Sequence, residues 1–187
     1  MSSSSREAIL AAARRTAQAR GYNGLNFRDL ADEVGIKAAS IYHHFPSKAD
    51  LGAAVARRYW EDTAAQLEAM LTETHDPVRC LRRYPEVFRK ALTNGNRMCM
   101  CSFMAAEYDD LPDAVKREVQ TFADVNVAWL SKLLSAGTRA NARKTEQRAR
   151  AIFAAVAGAQ LMARSRSDVG LYDSLIEGYR TAGLLPA

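Results

Sequence analysis

The stretch Gly35–Leu51, GIKAASIYHHFPSKADL, decides how the rest of the chain is read. It carries two histidines, two large aromatics and two lysines, and the first question is whether they form a chemical centre or a surface. Adjacent residues on a helix point about 100° apart, so His43 and His44 lack the i, i+4 spacing with which one helix offers two imidazoles to a metal. Helical periodicity runs from about Lys37 to His44; Phe45 and Pro46 end it, and Ser47 followed by Asp50 offers a cap for the next helix. Just upstream, Ala31, Gly35 and Ile41 have the spacing of a helix-turn-helix. A small residue lies where two helices cross, a glycine can take positive φ in the turn, and an apolar anchor seats the second helix. Leu30, Val34, Ile36 and Phe45 complete a small core. With the anchors turned inward, Lys37, Ala38, Ser40, His43 and His44 fall on or near the outward face of a rod about 10 to 12 Å across, which fits the major groove of B-DNA. Two plainer readings stand beside this one: Tyr42 as a core aromatic next to Phe45, and a helix-turn-helix in a protein that binds no DNA.

Outward from this stretch the pattern stays helical, with no strand-like alternation of any length and no Gly/Pro-rich linker. Ile9, Ala12, Ala13, Thr16 and Ala17 share one face of a first helix that the N-terminal serines can cap and Gly21 can stop. Asn26 caps a short second helix, with Asp29 as an imperfect capping box. A long fourth helix runs from Lys48 to about Thr74, where His75-Asp-Pro interrupts it. Further helices are predicted near 77–93, 98–109, 112–137, 142–165 and 170–183, with turns at Asn94-Gly-Asn, Asp109-Asp-Leu-Pro, Gly137 and Ser167-Asp-Val-Gly. Pro85 should kink or split the first of these.

The 187 residues, 48% hydrophobic and 25% charged, have a globular composition. No run approaches the roughly 18 consecutive apolar residues of a membrane span and the first residues do not read as a signal peptide, so a cytoplasmic protein with no membrane partner is expected. Of the net charge of +5, most sits early: residues 1–60 hold nine Lys/Arg against five Asp/Glu. That excess suits a polyanion or simply a solvated basic surface. Cys80, Cys99 and Cys101 make an odd number with no disulfide framework. The only histidines, His43, His44 and His75, are not spaced for a triad with a cysteine, so no catalytic residues, no metal site, no cofactor and no enzyme activity are expected.

From about Arg6 to Leu51 the residues resemble the N-terminal domain of the TetR family of transcriptional regulators. The most specific part is Gly35-Ile-x-x-x-Ser-Ile-Tyr-His-His-Phe-Pro-Ser-Lys-x-x-Leu51, which looks like the family's recognition helix and the start of its fourth helix. The resemblance implies an all-α, TetR-like fold of about nine helices. A three-helix DNA-binding domain over residues 1–50 would precede a ligand-binding and dimerisation domain over 51–187. It also implies contacts to double-stranded operator DNA. Arg28, Ser40, Tyr42 and Lys48 would bind phosphates, His43 and His44 would lie at the DNA surface, Lys37 would reach a guanine edge, and Ala38 and Ala39 would touch thymine methyls. Lys37-Ala38-Ala39 departs from the Ser-Lys-Gly-like sequence common there, and with Arg6 alone near the start a minor-groove arm is not expected.

The family also implies a homodimer, built here from the small and apolar residues of 148–163 and 170–183, although the same pattern could bury itself within one chain. A small-molecule effector would enter an apolar pocket. Candidate lining residues are Tyr59, Trp60, Phe88, Cys99, Phe103, Met104, Phe122, Trp129 and Met162, on helices predicted to surround one interior. The run Met98-Cys-Met-Cys-Ser-Phe-Met-Ala-Ala-Glu107 resembles a sixth-helix motif in a branch that includes regulators of electrophile and oxidant responses. There Cys99 would be a sensor thiol, with Arg97 beside it. The expected function is a ligand-responsive DNA-binding regulator, a repressor released from a palindromic operator by a small apolar or electrophilic effector. The alternatives are a helical interaction protein without DNA binding and a thiol-based sensor acting through Cys99.

Overall fold

A computed structural model describes residues 2–136 and 141–187, with side chains from residue 5 onward. Among these residues the chain forms nine α-helices: α1 (Ser2–Arg20), α2 (Phe27–Val34), α3 (Ala38–His44), α4 (Lys48–Thr74), α5 (Pro77–Thr93), α6 (Met100–Ala106), α7 (Asp113–Ser135), α8 (Ala142–Arg166) and α9 (Val169–Thr181). A 3-10 turn, Tyr108–Asp110, follows α6, and no strand occurs among the described residues. The all-α expectation is met. The proposed capping of α1 by the first serines and the turn at Gly137 lie outside the described residues and side chains.

Local chemistry explains most of the helix ends. Asn26 Oδ1 accepts from the amides of Arg28 (2.8 Å) and Asp29 (3.3 Å), filling two of the orphan donors at the start of α2. Gly35 closes that helix in the left-handed region at φ 74°, and Ile36 N–H returns to Ala31 O at 3.0 Å. Ser47 and Asp50 form the expected reciprocal cap of α4. The Asp50 amide donates to Ser47 Oγ at 3.1 Å, and that hydroxyl donates to Asp50 Oδ2 at 2.7 Å. The side chains of Asp76, Asn141 and Asp168 accept from first-turn amides of α5, α8 and α9.

Two expectations change. The sixth segment is a seven-residue helix followed by a separate 3-10 turn, not one helix over 98–109. Pro85 does not split α5, which continues from Pro77 to Thr93. A proline removes one ladder bond, here the one that would reach the Leu81 carbonyl; α9 packs against the same stretch, where Tyr172 Oη donates to Pro85 O at 2.7 Å and Arg180 Nη2 to Arg82 O at 3.3 Å.

The described residues divide into two compact units that do not follow the linear boundary at residue 50. The first comprises residues 1–61 and 100–122, because α6 packs on α1. Its core holds Ile9, Ala13, Leu30, Ile41, Phe45, Leu51 and Met104. The second comprises residues 62–99 and 123–187, where α5, α8 and α9 pack around Tyr84, Phe88, Ile152, Val156 and Tyr172. Among the described residues no helix is long and apolar enough to cross a membrane.

Candidate nucleic-acid interface

The face of α3 is built by one inward residue. Ile41 is fully buried, at 0% exposure, and it is the only buried residue of that helix. Every other position therefore points partly or wholly outward: Ala39, Ser40, Tyr42 and His43 are exposed, as is Lys37 at the N-cap, while Ala38 and His44 are half-buried. Tyr42, 56% exposed, is not a core residue; its ring edge rests on Phe27 at 4.7 Å between centroids. His43 and His44 stand edge to face at 5.5 Å, and no group of three metal-ligating side chains occurs among the described residues.

Beside α3 runs an open groove of about 780 Å³ lined by Leu25, Asn26, Phe27, Arg28, Asp29, Ala38, Tyr42 and Lys48. Two of the residues assigned to phosphate, Arg28 and Tyr42, line this groove beside the start of α2, whose Arg28 and Asp29 amides Asn26 caps. Lys48 behaves differently from a freely projecting cation. Its Nζ donates to Asn23 O at 3.2 Å and lies 4.7 Å from the centre of the Tyr22 ring, so its side chain is folded onto the turn between α1 and α2. Surrounding ion pairs stiffen the frame: Arg15 with Glu33 at 2.7 Å and Arg58 with Glu7 at 2.7 Å. Arg6 lies over the Phe45 ring at 5.3 Å.

The residues expected to line a pocket fall in both units. Tyr59, Trp60, Phe103, Met104 and Phe122 belong to the first, where Tyr59 and Phe122 meet at 5.5 Å. Trp60 is tied down: its Nε1 donates to Glu118 Oε2 at 2.8 Å, and Arg57 Nη2 meets Glu118 Oε1 at 2.6 Å. Burial pushes the Glu118 carboxyl up, but the bonds from Arg57 and Trp60 outweigh it and hold the group below the usual carboxylate range.

Phe88, Cys99, Trp129 and Met162 belong to the second unit. Phe88 and Trp129 both pack on the fully buried Tyr84, at 5.7 and 5.9 Å, and Tyr84 Oη donates to the buried Asn126 Oδ1 at 2.9 Å. Burial drives the Tyr84 phenol well above its ordinary pKa, so it stays a neutral donor. Trp129 Nε1 is buried with no acceptor among the described residues. Met162 stands apart from this interior, 48% exposed on α8. Cys99 is only 2% exposed and precedes α6; its amide donates to Gln160 Oε1 at 2.8 Å, while Gln160 Nε2 donates to Phe88 O at 2.6 Å. Sequence reading missed Gln160, Asn126 and Tyr84. Their only signal was polar atoms at apolar-face positions of helices.

With this geometry in place, comparison with known proteins is informative. Residues 9–55 match the family model described as bacterial regulatory proteins, tetR family. Over 178 residues the chain is 26% identical to the HTH-type transcriptional repressor NemR of Escherichia coli (strain K12), covering 91% of this chain and 89% of that protein. A transcriptional regulator of the TetR family from Agrobacterium tumefaciens superposes with a TM-score of 0.87 at 28% identity, covering 95% of this chain and 96% of that one. A TetR transcriptional regulator from Legionella pneumophila gives 0.88 at 27% identity, covering 94% and 95%.

Proposed function

We propose that the chain, which matches the tetR family model over residues 9–55 and is similar to TetR-family regulators along most of its length, is a DNA-binding regulator and not an enzyme, a homodimeric cytoplasmic repressor released from a palindromic operator by a small effector. The observation that carries the DNA assignment is α3, a helix whose one buried residue is Ile41, with every other side chain turned at least partly outward. Lys37 and His43 read base edges, Ala38 and Ala39 meet thymine methyls, and Arg28, Ser40, Tyr42, His44 and the backbone amide of Lys48 at the start of α4 hold phosphates. Repression follows the printed role of the NemR relative.

The dimer is supported by the outer faces of α8 and α9. Leu161 and Met162 are 54% and 48% exposed, and a Cβ added at Gly158 or Gly178 would meet open space. Small residues there let a second copy approach closely, setting two α3 helices about 34 Å apart in successive major grooves. The effector reading is supported by the second unit's interior. A buried indole N–H without an acceptor costs about 1–3 kcal/mol, and an effector carrying an acceptor oxygen would take that bond from Trp129. Such binding is non-covalent, in keeping with the burial of the Cys99 thiol.

The test uses purified protein and fragments selected from genomic DNA by binding. A selected fragment is titrated against random duplex by fluorescence anisotropy at several salt concentrations. The reading expects strong preference for the selected fragment and a steep fall of affinity with salt. Equal, salt-insensitive affinity for all duplexes would leave a helical interaction protein in its place.

A further inference from the structure

The turn between α1 and α2 is held from a distant part of the chain. Glu107, the residue after α6, accepts from the Tyr22 amide at 2.6 Å through Oε2 and from the Asn23 amide at 3.1 Å through Oε1. Asp110 Oδ2 accepts from Asn23 Nδ2 at 3.0 Å. The fit leaves no slack: Gly21 sits at φ 70°, and a Cβ there would run into the Glu107 carboxylate. The same two turn residues receive Lys48, through Asn23 O and the Tyr22 ring. Tyr22 in turn closes on Gly52 of α4, where an added Cβ would meet the ring at 2.7 Å. Two residues beyond Asn23 the chain enters the groove wall at Leu25, Asn26 and Arg28.

Resting on the DNA-binding reading above, we propose that Glu107 is a positioning residue for operator binding: its carboxylate fixes the α1–α2 turn, which sets Lys48, Arg28 and Tyr42 in register for the phosphate backbone. Glu107 touches no nucleic acid itself. Its effect passes through the two backbone amides of Tyr22 and Asn23, just beyond the end of α1 at Arg20. Asp110 reinforces the grip through the Asn23 side chain.

The sign of the effect separates this role from simple electrostatics. Removing a negative charge near a DNA-binding surface strengthens attraction to the polyanion. Loss of a positioning carboxylate weakens it, because the phosphate-facing groups lose their register. The experiment compares wild type, Glu107→Gln and Glu107→Ala in the full chain, measuring anisotropy with the selected duplex and random duplex from low to high salt. Amide hydrogen exchange at Tyr22 and Asn23 is followed in the free protein.

Glu107→Ala is expected to weaken both duplexes by about tenfold and to lower the salt slope by about one unit, the signature of a lost phosphate contact. Exchange at Tyr22 should accelerate. Glu107→Gln retains one acceptor oxygen and should restore part of the affinity, which also guards against misfolding of the alanine variant. Unchanged or increased affinity in a folded Glu107→Ala protein overturns the proposal, as does a lowered melting temperature with intact affinity and slope. If wild type itself shows no salt-dependent binding, the DNA-binding reading fails and this inference falls with it.

Discussion

Replacing Ile41 by alanine tests the one buried side chain that seats α3. The helix has seven residues, Lys37 gives it no side-chain cap bond, and only Ile41 is buried. The substitution removes three carbons; at about 0.8 kcal/mol per buried methylene the transfer loss is about 2.4 kcal/mol. A residual cavity raises the total to about 3–4 kcal/mol. This loss should fall mainly on local seating of α3, since no other residue of the helix is buried. A drop of about 3 kcal/mol enlarges the open population about 150-fold. The Phe45 amide, which donates to Ile41 O at 2.8 Å, reports that opening directly by hydrogen exchange. Its protection should fall by about two orders of magnitude, and affinity should drop for selected and random duplex alike. Ile41→Val removes one methylene and should cost about 0.5–1.5 kcal/mol, giving a graded series. Wild-type exchange at Phe45 in the alanine variant, with affinity intact, would show that α3 is held by something other than Ile41.

Arg28→Ala and Tyr42→Phe should weaken all sequences equally, whereas Lys37→Ala and His43→Ala should change which fragments are selected; four identical outcomes would refute the division into phosphate and base contacts. Glu118→Gln should lower stability by about 2 kcal/mol, or about 4–8 °C in melting temperature, through loss of charge-assisted bonds from Arg57 and Trp60. Because the folded Glu118 pKa lies below its ordinary value of 4.5, its contribution is present above about that pH and lost as pH falls through the folded value. The gap between wild type and variant should therefore close as pH falls below 4.5 and through the folded value, and a gap independent of pH would contradict the ion pair. Cys99→Ser should leave operator binding and the response to a non-covalent effector intact, as read by fragment release. Selective loss of the response to electrophiles would transfer sensing to the thiol.

Much of the DNA-facing unit could be read locally because its determinants are close in sequence. Asn26, Gly35 and the Ser47–Asp50 pair are caps acting within four residues, and Ile41 reveals the inward side of α3 by spacing alone. The groove residues Arg28 and Tyr42 follow from that placement. What stayed hidden depends on partners far along the chain. Glu107 meets Tyr22 across 85 residues, Gln160 joins Phe88 to Cys99 across 72 and 61, and Lys48 is turned aside by Asn23. Periodicity places such residues on a face but carries no information about which backbone group they reach. The candidate pocket residues divided between two units for the same reason: an apolar stripe specifies burial, not the cluster it joins.

The bonds around Pro85 make the C-terminal helix more than a lid on the second unit. Tyr172 and Arg180 donate to the carbonyls of Pro85 and Arg82, tying α9 to the stretch of α5 that holds the proline. Removing α9 would strip those donors from α5, and the loosening should surface some ninety residues earlier, in a segment the truncation never touched.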